Sequence, residues 1–162
     1  MRKIVSILMM VLVSAFLFTG CGMGEKIDYI SEKTGIDLSD VEGTSFKTHS
    51  GDDGKTSSVE FDLGDSNIES KLADSSSWKK LPFDETVETL LYGSNKDGKK
   101  IDPYIVDGEG EKLVPEISKG YYMLIDKNQN GEGNILEQEK INVEIAVYDT
   151  SDNKLYFCSF EN

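Results

Sequence analysis

Apolar positions fall into distinct regimes along the chain. From Ile4 to Phe18 every residue is apolar except Ser6 and Ser14. A run of that length matches the apolar region of a secretory signal and is short for a spanning helix. Further on the pattern breaks into short periodic stretches. Ile27 and Ile30 stand at i, i+3 within 25–34, and Gly35 follows, which predicts a short helix with a glycine stop. Two β-leaning runs, Thr44–Thr48 and Thr56–Asp62, flank the turn-rich Ser50-Gly51-Asp52-Asp53-Gly54 and predict a hairpin over 43–62. Ile68 and Leu72 at i, i+4 predict a second helix within 66–73. Residues 84–92 open on an acid, close on Gly93 and follow Pro82, the signature of a third helix.

The pattern then changes period. Ser94–Lys112 is rich in Gly, Asp and Lys apart from Ile101–Val106, which reads as a surface excursion around one short strand. Lys119–Lys127 predicts a strand. In Lys140–Asp149, Ile141, Val143, Ile145 and Val147 alternate with Asn142 and Glu144, the period of a strand with one buried face. Thr150–Asn153 is a turn, and Lys154–Phe160 a last strand. Helices and strands are segregated, with no βαβ alternation. The expected class is α+β: one antiparallel sheet of about five strands with short helices packed on one face.

Arg2 and Lys3 precede the N-terminal apolar run, which ends in Leu17-Phe18-Thr19-Gly20-Cys21. Here the chain resembles bacterial prolipoproteins, whose signal carries a basic start, an apolar stretch and two small residues before an obligatory Cys. The resemblance implies lipid attachment at the Cys21 thiol and cleavage after Gly20. Residues 1–20 would be a cleaved signal, 21–24 the lipidated Cys and a short tether, and 25–162 a single extracytoplasmic domain. Acyl chains add about 0.8 kcal/mol per buried methylene, so the expected place is the outer face of the cell membrane. The globular part, in Trp78-Lys79-Lys80-Leu81-Pro82, Leu90-Leu91-Tyr92-Gly93 and Lys119-Gly120-Tyr121-Tyr122-Met123-Leu124-Ile125-Asp126, resembles uncharacterised lipoproteins of Gram-positive bacteria, a resemblance that implies no activity.

Composition narrows the partners. The 162 residues carry 17 Lys+Arg against 30 Asp+Glu, a net charge of −13. Arg2 is the sole arginine, so the domain after Gly20 has lysine as its only strong cation. That balance argues against nucleic acid, which needs clustered Lys and Arg. It also argues against anionic lipid as the holding force, leaving the acyl chains to supply it. The expected partners are the membrane through Cys21 and an unknown protein or small solute. With Cys21 lipidated, Cys158 is the remaining thiol, and its apolar surroundings from Leu155 to Phe160 predict a small buried side chain.

One segment carries a metal-ligand spacing. Asp126-Lys127-Asn128-Gln129-Asn130-Gly131-Glu132-Gly133-Asn134-Ile135-Leu136-Glu137 fits the calcium-loop pattern at every required position. Asp126, Asn128 and Asn130 would supply side-chain oxygens, Glu132 its carbonyl, Asn134 a direct or water-mediated contact, and Glu137 a bidentate carboxylate. The flanks read as strand rather than helix, and Gly133 stands where an aliphatic residue is usual. Gly93–Lys100 approaches a phosphate loop, but Lys100 replaces the Ser or Thr that would hold magnesium. His49, the only histidine, lies near Ser50, Asp52 and Asp53 at a predicted turn; a catalytic triad is assembled from distant segments instead. Trp78, Tyr121 and Tyr122 read as core aromatics. No catalytic set emerges. The leading expectation is a non-catalytic binding or interaction module without a cofactor. The alternatives are a calcium-binding envelope module using 126–137, a small envelope hydrolase with a carboxylate pair, and an inhibitor or immunity lipoprotein.

Overall fold

The computed structural model describes residues 21–41, 43–64, 68–96, 98–128 and 133–162. Residues 1–20, expected as a cleaved signal, therefore lie outside the described residues, as do Asn130 and Glu132 of the calcium spacing. The chain divides into two units, residues 1–40 and 41–162.

In the first unit, helix α1 spans Cys21–Thr34. Gly22, Met23 and Gly24, expected as a short tether, belong to its first turn. The helix stops as expected: Gly35 takes φ +70° and donates its N–H to the Ser31 carbonyl at 2.8 Å. That left-handed geometry suits a residue without Cβ. Beyond it the chain folds back, and Leu38 N–H reaches the Ser31 hydroxyl at 3.1 Å.

The second unit is built on a six-stranded antiparallel sheet. In chain order its strands are β1 (Gly43–Gly51), β2 (Gly54–Asp62), β3 (Lys79–Lys80), β6 (Gly120–Asp126), β7 (Asn142–Asp149) and β8 (Lys154–Glu161). Their spatial order is β1-β2-β8-β7-β6-β3. The expected hairpin and the expected meander β6-β7-β8 both form, and β2 pairs with β8 to join them. Two helices interrupt the strands: α2 (Glu69–Ala73) and α3 (Glu85–Tyr92). The fold is α+β, as the segregated pattern predicts.

One face of the sheet presents Tyr122, Val143, Ile145, Val147, Tyr156, Cys158 and Phe160 to the main core, where Val87, Leu90 and Leu91 of α3 pack. Strand pairing places Met123, Ala146 and Phe157 in one row of the opposite face and Tyr121, Tyr148 and Leu155 in the next. These residues are also buried. Glu69 and Leu72 belong to α2, which meets β6 through a Tyr121 hydroxyl to Glu69 contact at 3.5 Å. The helices thus divide between the two faces.

The expectation of one buried face for the meander is corrected accordingly. β7 is an interior strand covered on both sides, and even Glu144 is only 5% exposed. Its carboxylate is held by Lys127 Nζ at 2.8 Å, the kind of pairing a buried charge requires. At the start of β6, Gly120 (φ +151°) is obligatory, because a Cβ there would run into the Tyr148 carbonyl oxygen.

The excursion after α3 also differs from expectation. In place of one strand over Ile101–Val106, there is a small ribbon of β4 (Ser94–Lys96) with β5 (Lys99–Ile101), then an isolated bridge between Val106 and Lys112. The segment is not merely superficial. The N–H groups of Tyr104 and Ile105 both reach the Leu90 carbonyl at 3.0 Å, and Ile105 and Val114 are buried in the core. Of the near-phosphate loop, Gly93 caps α3, while Ser94–Lys96 and Lys99–Lys100 lie in this ribbon.

Candidate functional site

α3 is built as its sequence dictates. Asp84 is the N-cap and accepts the Val87 N–H on Oδ1 at 3.0 Å, filling one of the unsatisfied donors of the first turn. Its Oδ2 accepts Lys79 Nζ at 2.9 Å and the Tyr122 hydroxyl at 3.2 Å. The Asp84 N–H in turn donates to the Tyr122 oxygen at 3.0 Å. Burial, the largest single influence on Asp84, would raise its pKa. The Val87 N–H, Lys79 and Tyr122 together outweigh it and hold the carboxyl below its usual range.

This cluster locks the chain just ahead of α3 against the sheet. β3 pairs with the start of β6, and Leu81 N–H continues the ladder to the Gly120 carbonyl at 3.0 Å. The segment leaving β3 and the segment entering β6 therefore run side by side. Between them and α3 lies a groove of about 480 Å³, within the size range of ligand clefts. Leu81, Pro82 and Phe83 form one wall, Glu88 and Tyr92 come from α3, and Glu116, Ile117 and Ser118 close the other side. The Leu81–Pro82 peptide is cis. Phe83 is wedged between Tyr122 and Tyr92, with ring centroids 5.2 and 5.7 Å away. The Tyr92 hydroxyl donates to the Pro115 carbonyl at 2.8 Å, and burial raises its pKa. Lys112 lies over the Tyr92 ring, 5.2 Å from its centroid, and pairs with Glu116 at 3.2 Å.

Leu81, Pro82 and Tyr92 fall in stretches that carry the resemblance, and Glu88 in a predicted helix, but no motif marks them as a groove. Pro82-Phe83 and Pro115-Glu116-Ile117 each lie outside any periodic stretch. Only the β3–β6 pairing, which joins Lys79 to Tyr122 and Lys80 to Tyr121, brings them together.

The calcium spacing is placed between β6 and β7. Asp126 ends β6, and its Oδ1 accepts the Asn128 N–H at 2.9 Å. Asn128 Nδ2 reaches Gln138 Oε1 at 2.6 Å and the Lys140 carbonyl at 2.8 Å, tying the two ends of the loop. Asn134 caps a 3₁₀ turn over Ile135–Glu137 by accepting the Leu136 N–H at 3.1 Å. Its amide reaches Glu137 Oε1 at 3.3 Å. Asp126, Asn128, Asn134 and Glu137 are thus engaged in local turns. Among the described residues no three His, Cys, Asp or Glu side chains group as a metal site, and two of the six expected ligands lie outside those residues.

Cys21 opens α1. Among the described residues no helix is long and apolar enough to cross a membrane. Cys158 is 1% exposed, as expected, and burial pushes its thiol up to about 12. Trp78, Tyr121 and Tyr122 are core residues. His49 lies in β1 rather than at the turn, and its ring packs against Gly51 and Gly108. The chain matches no known protein family, no curated protein and no solved structure.

Proposed function

We propose that this chain is a lipid-anchored extracytoplasmic lipoprotein whose domain is a non-catalytic binding module. The observation that carries the reading is Leu17-Phe18-Thr19-Gly20-Cys21 behind a basic start and an apolar run. Acyl groups on Cys21 hold the domain at the outer face of the cell membrane, and the net acidity of the chain leaves attachment to those groups. Radiolabelled palmitate fed to expressing cells is incorporated into the wild-type chain, and globomycin blocks its processing. The Cys21→Ala chain takes up no label. Undiminished labelling of that variant refutes the anchor.

A small hydrolase is the competing reading, since Glu88 and Glu116 line one groove. Against it, the Glu116 side chain is 84% exposed and paired with Lys112. A leaving-group acid needs the opposite, a desolvated carboxyl kept protonated.

A further inference from the structure

The groove beside α3 combines an apolar floor with acidic rims. Phe83, Tyr92 and Ile117 supply the apolar surface, Glu88 and Glu116 the acidic groups, and Lys112 sits over Tyr92, paired with Glu116. Among the described residues Glu88 has no ion-pair partner. The chain also carries its own precedent for what sits here. Lys112 places an ammonium over Tyr92 while bonding Glu116, so this aromatic–carboxylate pair already holds a lysine. Cation–π attraction and a nearby carboxylate act together at such a spot.

Building on the binding-module reading, we infer that this groove takes an extended basic segment of a partner polypeptide. One Lys or Arg side chain pairs with Glu88, and a neighbouring apolar side chain lies on Phe83 and Ile117. The chemistry favours a peptide over a free amine. Both carboxylates are exposed, and an exposed ion pair alone contributes little. Covering the apolar floor supplies the rest, which requires a ligand with apolar and cationic groups side by side. The acidic balance of the chain steers such a segment toward the domain.

The test titrates the full-length ¹⁵N-labelled chain in nonionic detergent micelles and follows the amide signals of Tyr92, Ile117 and Ser118. The probe is a blocked hexapeptide of alternating lysine and leucine. Controls are the glutamate–leucine and lysine–serine hexapeptides and butylamine. The lysine–leucine peptide shifts these signals saturably, the glutamate–leucine peptide does not, and the lysine–serine peptide binds more weakly. Glu88→Gln weakens binding about threefold to fivefold, the effect of one exposed charge contact. Ile117→Ser weakens it as well, and Glu161→Gln, the same charge change on β8, leaves it unaltered. The inference fails if the groove signals do not move, or if Glu161→Gln weakens binding as much as Glu88→Gln. It also fails if butylamine binds as tightly as the peptide, which would assign the groove to small amines. The anchor is read separately, by labelling at Cys21, so either conclusion can fall without the other.

Discussion

Replacing Asp84 with Ala removes three contacts at once, and the structure ranks them. The bond from Val87 N–H to Oδ1 is the helix cap, and its loss costs about 1 kcal/mol. The bond from the Tyr122 hydroxyl is partly buried and contributes about 1 kcal/mol more. The Lys79 pair contributes close to nothing, because the Lys79 side chain is 63% exposed. The sum, about 2 kcal/mol, corresponds to a fall in Tm of about 6–8 °C for a domain of this size. Asp84→Asn separates the parts. Asparagine caps as well as aspartate, so this variant loses about half as much. Circular dichroism of the full chain in nonionic detergent reads both variants.

Acid supplies a second check on Asp84. Its carboxyl titrates below the usual range in the folded state, so its contribution is complete above the unfolded carboxylate value of about 4 and is lost as pH falls through the folded value. The gap between wild type and Asp84→Ala is therefore widest near neutral pH and narrows below pH of about 4. A Tm for Asp84→Ala within about 2 °C of wild type at neutral pH would show that the cap and the Tyr122 bond do not hold α3. So would an Asp84→Asn chain as unstable as the alanine variant.

Two further outcomes are checked on the same material. In the Cys21→Ala chain, Cys158 is the remaining thiol; buried, with its pKa pushed up to about 12, it stays silent to Ellman's reagent at pH 8 and yields one equivalent when guanidinium unfolds the chain. Rapid reaction of the native chain would refute its burial. A calcium site in 126–137 with affinity in the extracellular range of about 10⁻⁴–10⁻³ M requires about 1–2 kcal/mol of stabilisation at about 5 mM calcium relative to EDTA. That shift must vanish in Asp126→Asn, and an unchanged Tm in the wild-type chain reduces the loop to a turn.

The parts of this protein legible in its sequence are those written in local signals. Asp84 and Gly93 bracket α3 because a cap and a stop act within one turn. The hairpin and β6 to β8 show in alternation and turn residues, and the burial of Cys158 follows from the apolar run around it. The calcium spacing was equally legible, yet the residues placed by the structure are engaged in turns, since Asx-type bonds and ligand sets draw on the same residue types. What only the tertiary structure decided depends on pairings between distant segments. β3 is two lysines, with no propensity for a strand, and exists because β6 offers an edge. The opposite face of β7 is buried because the sheet is covered on both sides, which no period-two pattern in β7 alone can encode. The groove lies where Leu81–Phe83 and Glu116–Ser118 are brought together by the β3–β6 contact, and burial, charge and shape at that place are properties of the pairing rather than of either stretch.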